Sequence, residues 1–90
     1  MTLQARFGHN LRRERKWAGL SQEELGFRAS LHRTAVGQLE RGERRARIDT
    51  LVKLAGALEI EPGALLVGMD WKAARSLDGH FEFPDEDASL

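Results

Sequence analysis

Residues 21–40 read SQEELGFRASLHRTAVGQLE, and this stretch decides the fold. Ser21, followed three residues later by Glu24, is a capping box. The Ser21 hydroxyl can accept from the Glu24 amide while the Glu24 carboxylate reaches back to the Ser21 amide, satisfying two orphan donors of a helix N-terminus. A helix is therefore expected over 22–29, ending at Arg28 or Ala29. After a turn at Ala29-Ser30-Leu31, the next helix is expected over 33–41, with Val36 and Leu39 on its inner face. Gly42 then stands where a left-handed C-terminal cap is wanted.

Working outward, Leu3, Phe7 and Leu11 recur every four residues and make one apolar stripe on a first helix from about Thr2 to Ala18, broken at Gly19-Leu20. Downstream of a basic loop, Glu43 to Arg47, a fourth helix from about Asp49 to Leu58 buries Leu51, Leu54, Ala55 and Leu58. Glu61-Pro62 opens a fifth, with proline at the first helical position, where a missing N–H costs nothing; Leu65 and Leu66 would complete the core. No strand pattern precedes residue 79, so the expected class is all-α: five short helices over residues 1–68 and a tail over 69–90. In the tail Asp70 could cap a short helical turn through Leu77, with Trp71, Ala74 and Leu77 on one side. Gly79 to Pro84 alternates aromatic with polar residues as a half-buried strand does, and Asp85 to Leu90 reads as disordered.

Ninety residues leave room for one core and an appendage. The absence of cysteine excludes a disulfide framework and a thiolate zinc site, and His9, His32 and His80 share no ligand spacing, so no metal is expected. No apolar run approaches the ~18–20 residues that span a bilayer, and the first residues lack the apolar stretch of a signal peptide; a cytoplasmic protein without a membrane partner is expected. The formal net charge is zero but unevenly distributed: residues 1–68 hold twelve Lys and Arg against eight Asp and Glu, and residues 69–90 hold two against six. A basic body thus carries an acidic tail. Eleven of the fourteen cations are Arg, the side chain suited to bidentate contacts with phosphate and guanine, although many such residues merely solvate helix faces. No nucleophile–base pair, phosphate-binding glycine loop or metal triad is present, which speaks against an enzyme and leaves no cofactor to expect.

Two short helices joined by a tight turn within a small bundle form the helix-turn-helix arrangement, whose second helix enters the major groove of DNA. Generic bundles share that spacing, but three linked motifs sharpen it: Gly19-Leu20-Ser21-Gln22-Glu23-Glu24-Leu25, Leu39-Glu40-Arg41-Gly42, and Leu51-Val52-Lys53-Leu54-Ala55. Together, over about residues 6–67, they closely resemble the Cro/cI-type, or xenobiotic-response-element-type, helix-turn-helix regulators. The resemblance implies a five-helix, lambda-repressor-like domain that binds double-stranded DNA through helices 2 and 3. Matched by position, Gln22 corresponds to a residue that binds backbone phosphate with its amide and the helix N-terminus behind it. His32, Arg33, Thr34 and Gln38 correspond to residues that reach base edges, and Gly37 to a groove-facing position with no side chain to read with. Arg41, with Arg44 or Arg45 in the loop, corresponds to phosphate contacts. Arg33 can bond O6 and N7 of guanine, and Gln38 can bond N6 and N7 of adenine. Arg15 and Glu40 match a largely buried ion pair that fixes the recognition helix; otherwise they would be two surface charges of small worth.

The sequence departs from the family pattern at three places. Ser30 stands where the turn usually has Gly, His32 where a capping Ser or Thr is common, and Ala46-Arg47 where Pro and a capping Ser are usual. His32 is open to capping helix 3, to touching phosphate, or to both. One such domain offers a small interface, so a homodimer on a palindromic operator is expected, joined through helix 5 with the end of helix 4, or through the tail. The alternative is an antitoxin that binds a partner protein through its acidic, aromatic tail and autoregulates its operon. A ligand-gated repressor is disfavoured, because the residues after helix 5 are too few to enclose a ligand pocket.

Overall fold

The computed structural model describes residues 1–84. Four α-helices come first: α1 (Leu3–Trp17), α2 (Gln22–Ala29), α3 (Arg33–Glu40) and α4 (Ile48–Leu58). A 3-10 turn over Pro62–Leu66 follows, and then two strands, β1 (Asp70–Lys72) and β2 (His80–Glu82). The expected boundaries hold to within a residue or so at α1 to α4. The Ser21–Glu24 capping box forms in both directions, at 3.0 Å from the Glu24 amide to Ser21 Oγ and 2.9 Å from the Ser21 amide to Glu24 Oε1. Ser30 takes the left-handed conformation that glycine usually fills, with φ 56° and ψ 44°, and its N–H closes the end of α2 on Gly26 and Phe27 carbonyls. A non-glycine residue there costs about 1 kcal/mol.

One core gathers the inner face of every helix. Phe7 and Leu11 of α1, Leu25 and Ala29 of α2, and Val36 and Leu39 of α3 are buried, and α4 adds Leu54, Ala55 and Leu58. Leu65 seals the open end with no exposure, whereas Leu66, expected beside it, faces outward. The close approach of α1 to α3 depends on Gly8, where a Cβ would collide with the carbonyl oxygens of Leu39 and Glu40.

Two expectations are corrected. The fifth α-helix is a single 3-10 turn, so the bundle has four α-helices. Asn10, buried on α1, explains the difference. Its Nδ2 donates to Leu65 O at 3.0 Å and Val67 O at 2.8 Å, capturing a carbonyl that a continuing α-helix would bond, and Val67 turns extended. Gly63 inside the segment also disfavours helix. The second correction concerns the tail, so the chain is mostly helical with a small sheet rather than all-α. The expected strand at residues 79–84 exists as β2, but Asp70 opens a strand instead of a helical turn. β1 and β2 pair antiparallel in the register Asp70 to Glu82, Trp71 to Phe81 and Lys72 to His80. The cross-strand aromatic contact outweighs the weak helical stripe of Trp71, Ala74 and Leu77, and Leu77 is fully exposed. At its base the hairpin meets the body where Arg6 Nη1, on α1, donates to Pro84 O at 3.1 Å. The disorder expected for Asp85 to Leu90 lies outside the described residues.

The capping box makes the fold sensitive to acid. Accepting the Ser21 backbone hydrogen bond first, and the Ser21 side-chain bond next, holds the Glu24 carboxyl below its ordinary value of 4.5. Its folded pKa lies below the unfolded one, so the stabilisation is full at neutral pH and lost as pH falls through the folded value. Glu24→Gln keeps an acceptor but does not titrate. The melting temperature of the wild type should exceed that of Glu24→Gln near neutrality, and the gap should close in thermal melts taken progressively below pH 4.5. A gap that stays constant with pH would mean that the carboxylate charge does not support the helix.

Candidate nucleic-acid interface

The candidate site is built on α2, the turn after it, and α3, and one largely buried network positions them. Arg15, from α1, donates through Nε to Glu40 Oε2 at 2.5 Å and through Nη2 to Glu40 Oε1 at 3.0 Å, while its Nη1 donates to Leu20 O at 2.8 Å. Gln22 Nε2, at the start of α2, donates to Glu40 Oε1 at 3.0 Å. The Arg15 and Glu40 side chains are 12% and 4% exposed, so the expected ion pair is present and sheltered from water. The Glu40 hydrogen bond, more than its charge alone, raises the Arg15 pKa above its ordinary value against the opposing effect of burial.

With its inner face fixed by Val36 and Leu39, α3 turns His32, Arg33 and Thr34 outward, and Gln38 stands half-exposed one turn later. His32 is the N-cap. Its Nδ1 accepts from the Thr34 amide at 3.1 Å and lies 3.0 Å from Thr34 Oγ1, so the imidazole does what a capping hydroxyl usually does. Arg33 is held by Glu23 of α2, Nη1 to Oε2 at 3.3 Å, with both side chains largely in solvent. Gly37 is buried, and the Arg41 guanidinium lies over it: a Cβ there would stand 2.9 Å from Arg41 Nη1 and 3.6 Å from Gln22 Oε1. The missing side chain thus makes room for the cation at the end of the helix.

Arg41, the C-cap of α3, is clamped by Glu43 through Nε to Oε2 at 2.7 Å and Nη2 to Oε1 at 3.2 Å. That bidentate hydrogen bond raises the Arg41 pKa and lowers that of Glu43. Gly42, at φ 72°, then reverses the chain against Ala5 of α1. Arg44 and Arg45 follow on the exposed loop. Arg47 is the N-cap of α4 but makes no capping bond, and its Nε stands 3.8 Å from Asp49 Oδ1. Sequence reasoning missed the two acidic companions, Glu23 and Glu43. Glu43 lies two residues from its Arg and was within reach of a charge-pattern reading, whereas Glu23 meets Arg33 only because two helices cross.

The structure therefore brings Gln22, His32, Arg33, Thr34, Gln38 and Arg41 onto one helix pair with its flanking turn, with Arg44 and Arg45 directly after. Among the described residues no group of His, Cys, Asp or Glu is placed to hold a metal ion, and no helix is long and apolar enough to cross a membrane.

This fold and surface define a helix-turn-helix DNA-binding domain. Residues 11–65 match the family described as Helix-turn-helix. The control protein C.BamHI of Bacillus amyloliquefaciens is 39% identical over 61 residues, which cover 67% of this chain and 75% of that protein. Among solved structures, the restriction-modification controller protein C.AhdI from Aeromonas hydrophila is similar at 47% identity and a TM-score of 0.68, covering 69% of this chain and 94% of that one. The P22 c2 repressor, crystallised with a synthetic operator, is similar at 32% identity and a TM-score of 0.64, again covering 69% and 94%. The chain belongs to this Cro/cI-type helix-turn-helix family and is a DNA-binding regulator, not an enzyme.

Removing either side of the Arg15–Glu40 pair strands a buried charge. Arg15→Ala and Glu40→Ala should each destabilise the protein by about 3–5 kcal/mol in denaturant unfolding, and the double variant should lose less than the sum. Additive losses in that cycle would show that the two side chains act independently.

Proposed function

We propose that the chain is a sequence-specific transcriptional regulator that reads the major groove of double-stranded DNA through α3, acting in the cytoplasm as a homodimer on a palindromic operator. The observation that carries this reading is the outer face of α3. Arg33 and Thr34 are exposed and Gln38 half-exposed on a helix locked to α1 and α2 by the Arg15–Glu40 ion pair, so the backbone that carries them is set before DNA arrives. Arg33 would read guanine and Gln38 adenine, with His32 and Thr34 at the first turn beside them. Gln22, Arg41, Arg44 and Arg45 would hold the backbone on either side. Gln22 spends one amide hydrogen on Glu40 and keeps the other for a phosphate, beside the free N–H groups of α2. Arg41 would exchange Glu43 for a phosphate, so contact with DNA replaces one bidentate anion by another.

Neutralising about six to ten phosphates per dimer should make binding fall steeply with salt, with a log–log slope of about −5 to −9. A flat response in a fluorescence-anisotropy titration, or no binding to any duplex, would refute the reading.

Readers and anchors should separate on a panel of single-base operator variants, the operator first being selected from random duplexes. Arg33→Ala should cost about 1–3 kcal/mol on the preferred site and relax the preference at one base pair per half-site. Gln22→Ala should weaken all sequences by a similar factor. If Gln22→Ala shifts the preferred base while Arg33→Ala lowers every affinity alike, the assigned roles are reversed.

A further inference from the structure

The hairpin of β1 and β2 lies beyond the matched family region, which ends at residue 65, and its charges oppose its own pairing. Asp70 stands opposite Glu82, and Lys72 opposite His80, so neither cross-strand pair joins opposite charges. Like charges set directly opposite each other destabilise an antiparallel pair. His80 turns to Glu82 on its own strand, Nε2 to Oε2 at 3.0 Å, and among the described residues neither Asp70 nor Lys72 has an ion-pair partner. A two-stranded hairpin is marginal on its own. This one nevertheless presents Trp71 and Phe81 at 57% and 48% exposure, packed edge to face at 5.0 Å between centroids. Gly79 admits the Trp71 ring over the hairpin, where a Cβ would strike it. Among the described residues no strand pairs with the outer backbone edge of β1, the kind of edge that native proteins pair or cover.

We propose that β1 pairs edge to edge with β1 of a second copy of this chain, antiparallel about a two-fold axis at Trp71. The four strands then run in the order β2, β1, β1, β2 across the pair. In this register Asp70 faces Lys72 of the second copy, and Lys72 faces its Asp70, supplying both of the opposite charges that the hairpin lacks. A slip of one residue loses this match, setting Asp70 against Trp71 and Lys72 against Met69 of the other copy. A peptide of a single charge sign would satisfy only one of the two positions, which favours a second copy as the occupant. β1 also starts directly after Met69, which lines an open apolar groove with Ile48, Leu51 and Leu66 on the body, so a copy held at β1 stands beside that groove. The proposal rests on the homodimer reading and names its surface.

The test uses sedimentation velocity on the full-length protein over a concentration series. Asp70→Lys sets a cation opposite Glu82 and Lys72→Asp sets a carboxylate opposite His80, yet each puts like charges between copies, and both sites are exposed, so the fold is spared. Each single variant should self-associate about tenfold more weakly than the wild type. An equimolar mixture of the two, and the variant carrying both substitutions, should each recover wild-type association. Single variants that associate as the wild type does, or a wild type that stays monomeric where it binds duplex DNA, overturn the proposal; the edge is then open to another protein, as an antitoxin role would require. Duplex binding of the wild type is read separately by anisotropy, and its absence counts against the regulator reading rather than against the strand pairing.

Discussion

The placement of α2 and α3 against α1 depends on a single carboxylate, Glu40. Three helices contribute to its surroundings: Arg15 from α1 by two hydrogen bonds, Gln22 from α2 by one, and α3 through Glu40 itself. Buried ion pairs contribute little net stability against a well-packed apolar alternative, because the desolvation of two charges offsets most of their attraction. What this one supplies is position. An apolar contact between α1 and α3 would tolerate sliding and rotation, whereas a bidentate guanidinium–carboxylate pair fixes both distance and plane. Gly8 acts in the same direction by letting the α1 backbone press against the last turn of α3. α3 is thus clamped at its C-terminal end from two sides, and at its start by the His32 cap.

The second organising feature is that two of the cations on this surface carry anions with them. Glu23 holds Arg33, and Glu43 holds Arg41, in pairs that are mostly in water. Exposed pairs of this kind add little to stability. On the proposed reading their effect falls on recognition instead. An arginine already paired with a carboxylate gains less from an arbitrary phosphate than a free one, so weak contacts with random sequence are discounted. A guanine that offers O6 and N7 in the right plane can still displace Glu23 from Arg33. On that reading Arg44 and Arg45, without such companions among the described residues, supply the unselective attraction to DNA.

The parts of the fold that could be read from the sequence are those set by local chemistry. Ser21 and Glu24 are three residues apart and cap the same turn, so α2 was visible at its first residue. The stripes of Phe7–Leu11 and Leu54–Leu58 needed only the helical period. The readings that failed depended on distant residues. Nothing between Glu61 and Leu66 announces that Asn10, over fifty residues earlier, takes the Leu65 carbonyl and ends the turn. Asp70 to Leu77 carries a faint helical period, and its strand exists only because Phe81 returns to meet Trp71. The candidate site divides in the same way. Arg15 and Glu40 were found through a family pattern, since twenty-five residues separate them and no local rule joins them. The burial of Gly37 under Arg41, and the meeting of Glu23 with Arg33, required the packed helices.

His32 shows how one departure from the family pattern can alter the chemistry of the surface. A ring nitrogen that accepts from the Thr34 amide carries no proton, so in the neutral ring the proton sits on Nε2. The outward nitrogen is then a donor. Thr34 Oγ1 lies 3.0 Å from the same Nδ1, where its hydrogen would share the one lone pair with the amide in a three-centre bond and leave its oxygen as an acceptor. A serine cap would have fixed neither choice. On the proposed reading, the first turn of α3 therefore presents a defined sequence of hydrogen-bonding characters: donor at His32, paired donors at Arg33, acceptor and methyl at Thr34. Guanine N7 and O6, or thymine O4, suit the first two, and the amino group of adenine or cytosine suits the third. On that reading the cap that satisfies the helix N-terminus also sets which base edges its neighbours can meet.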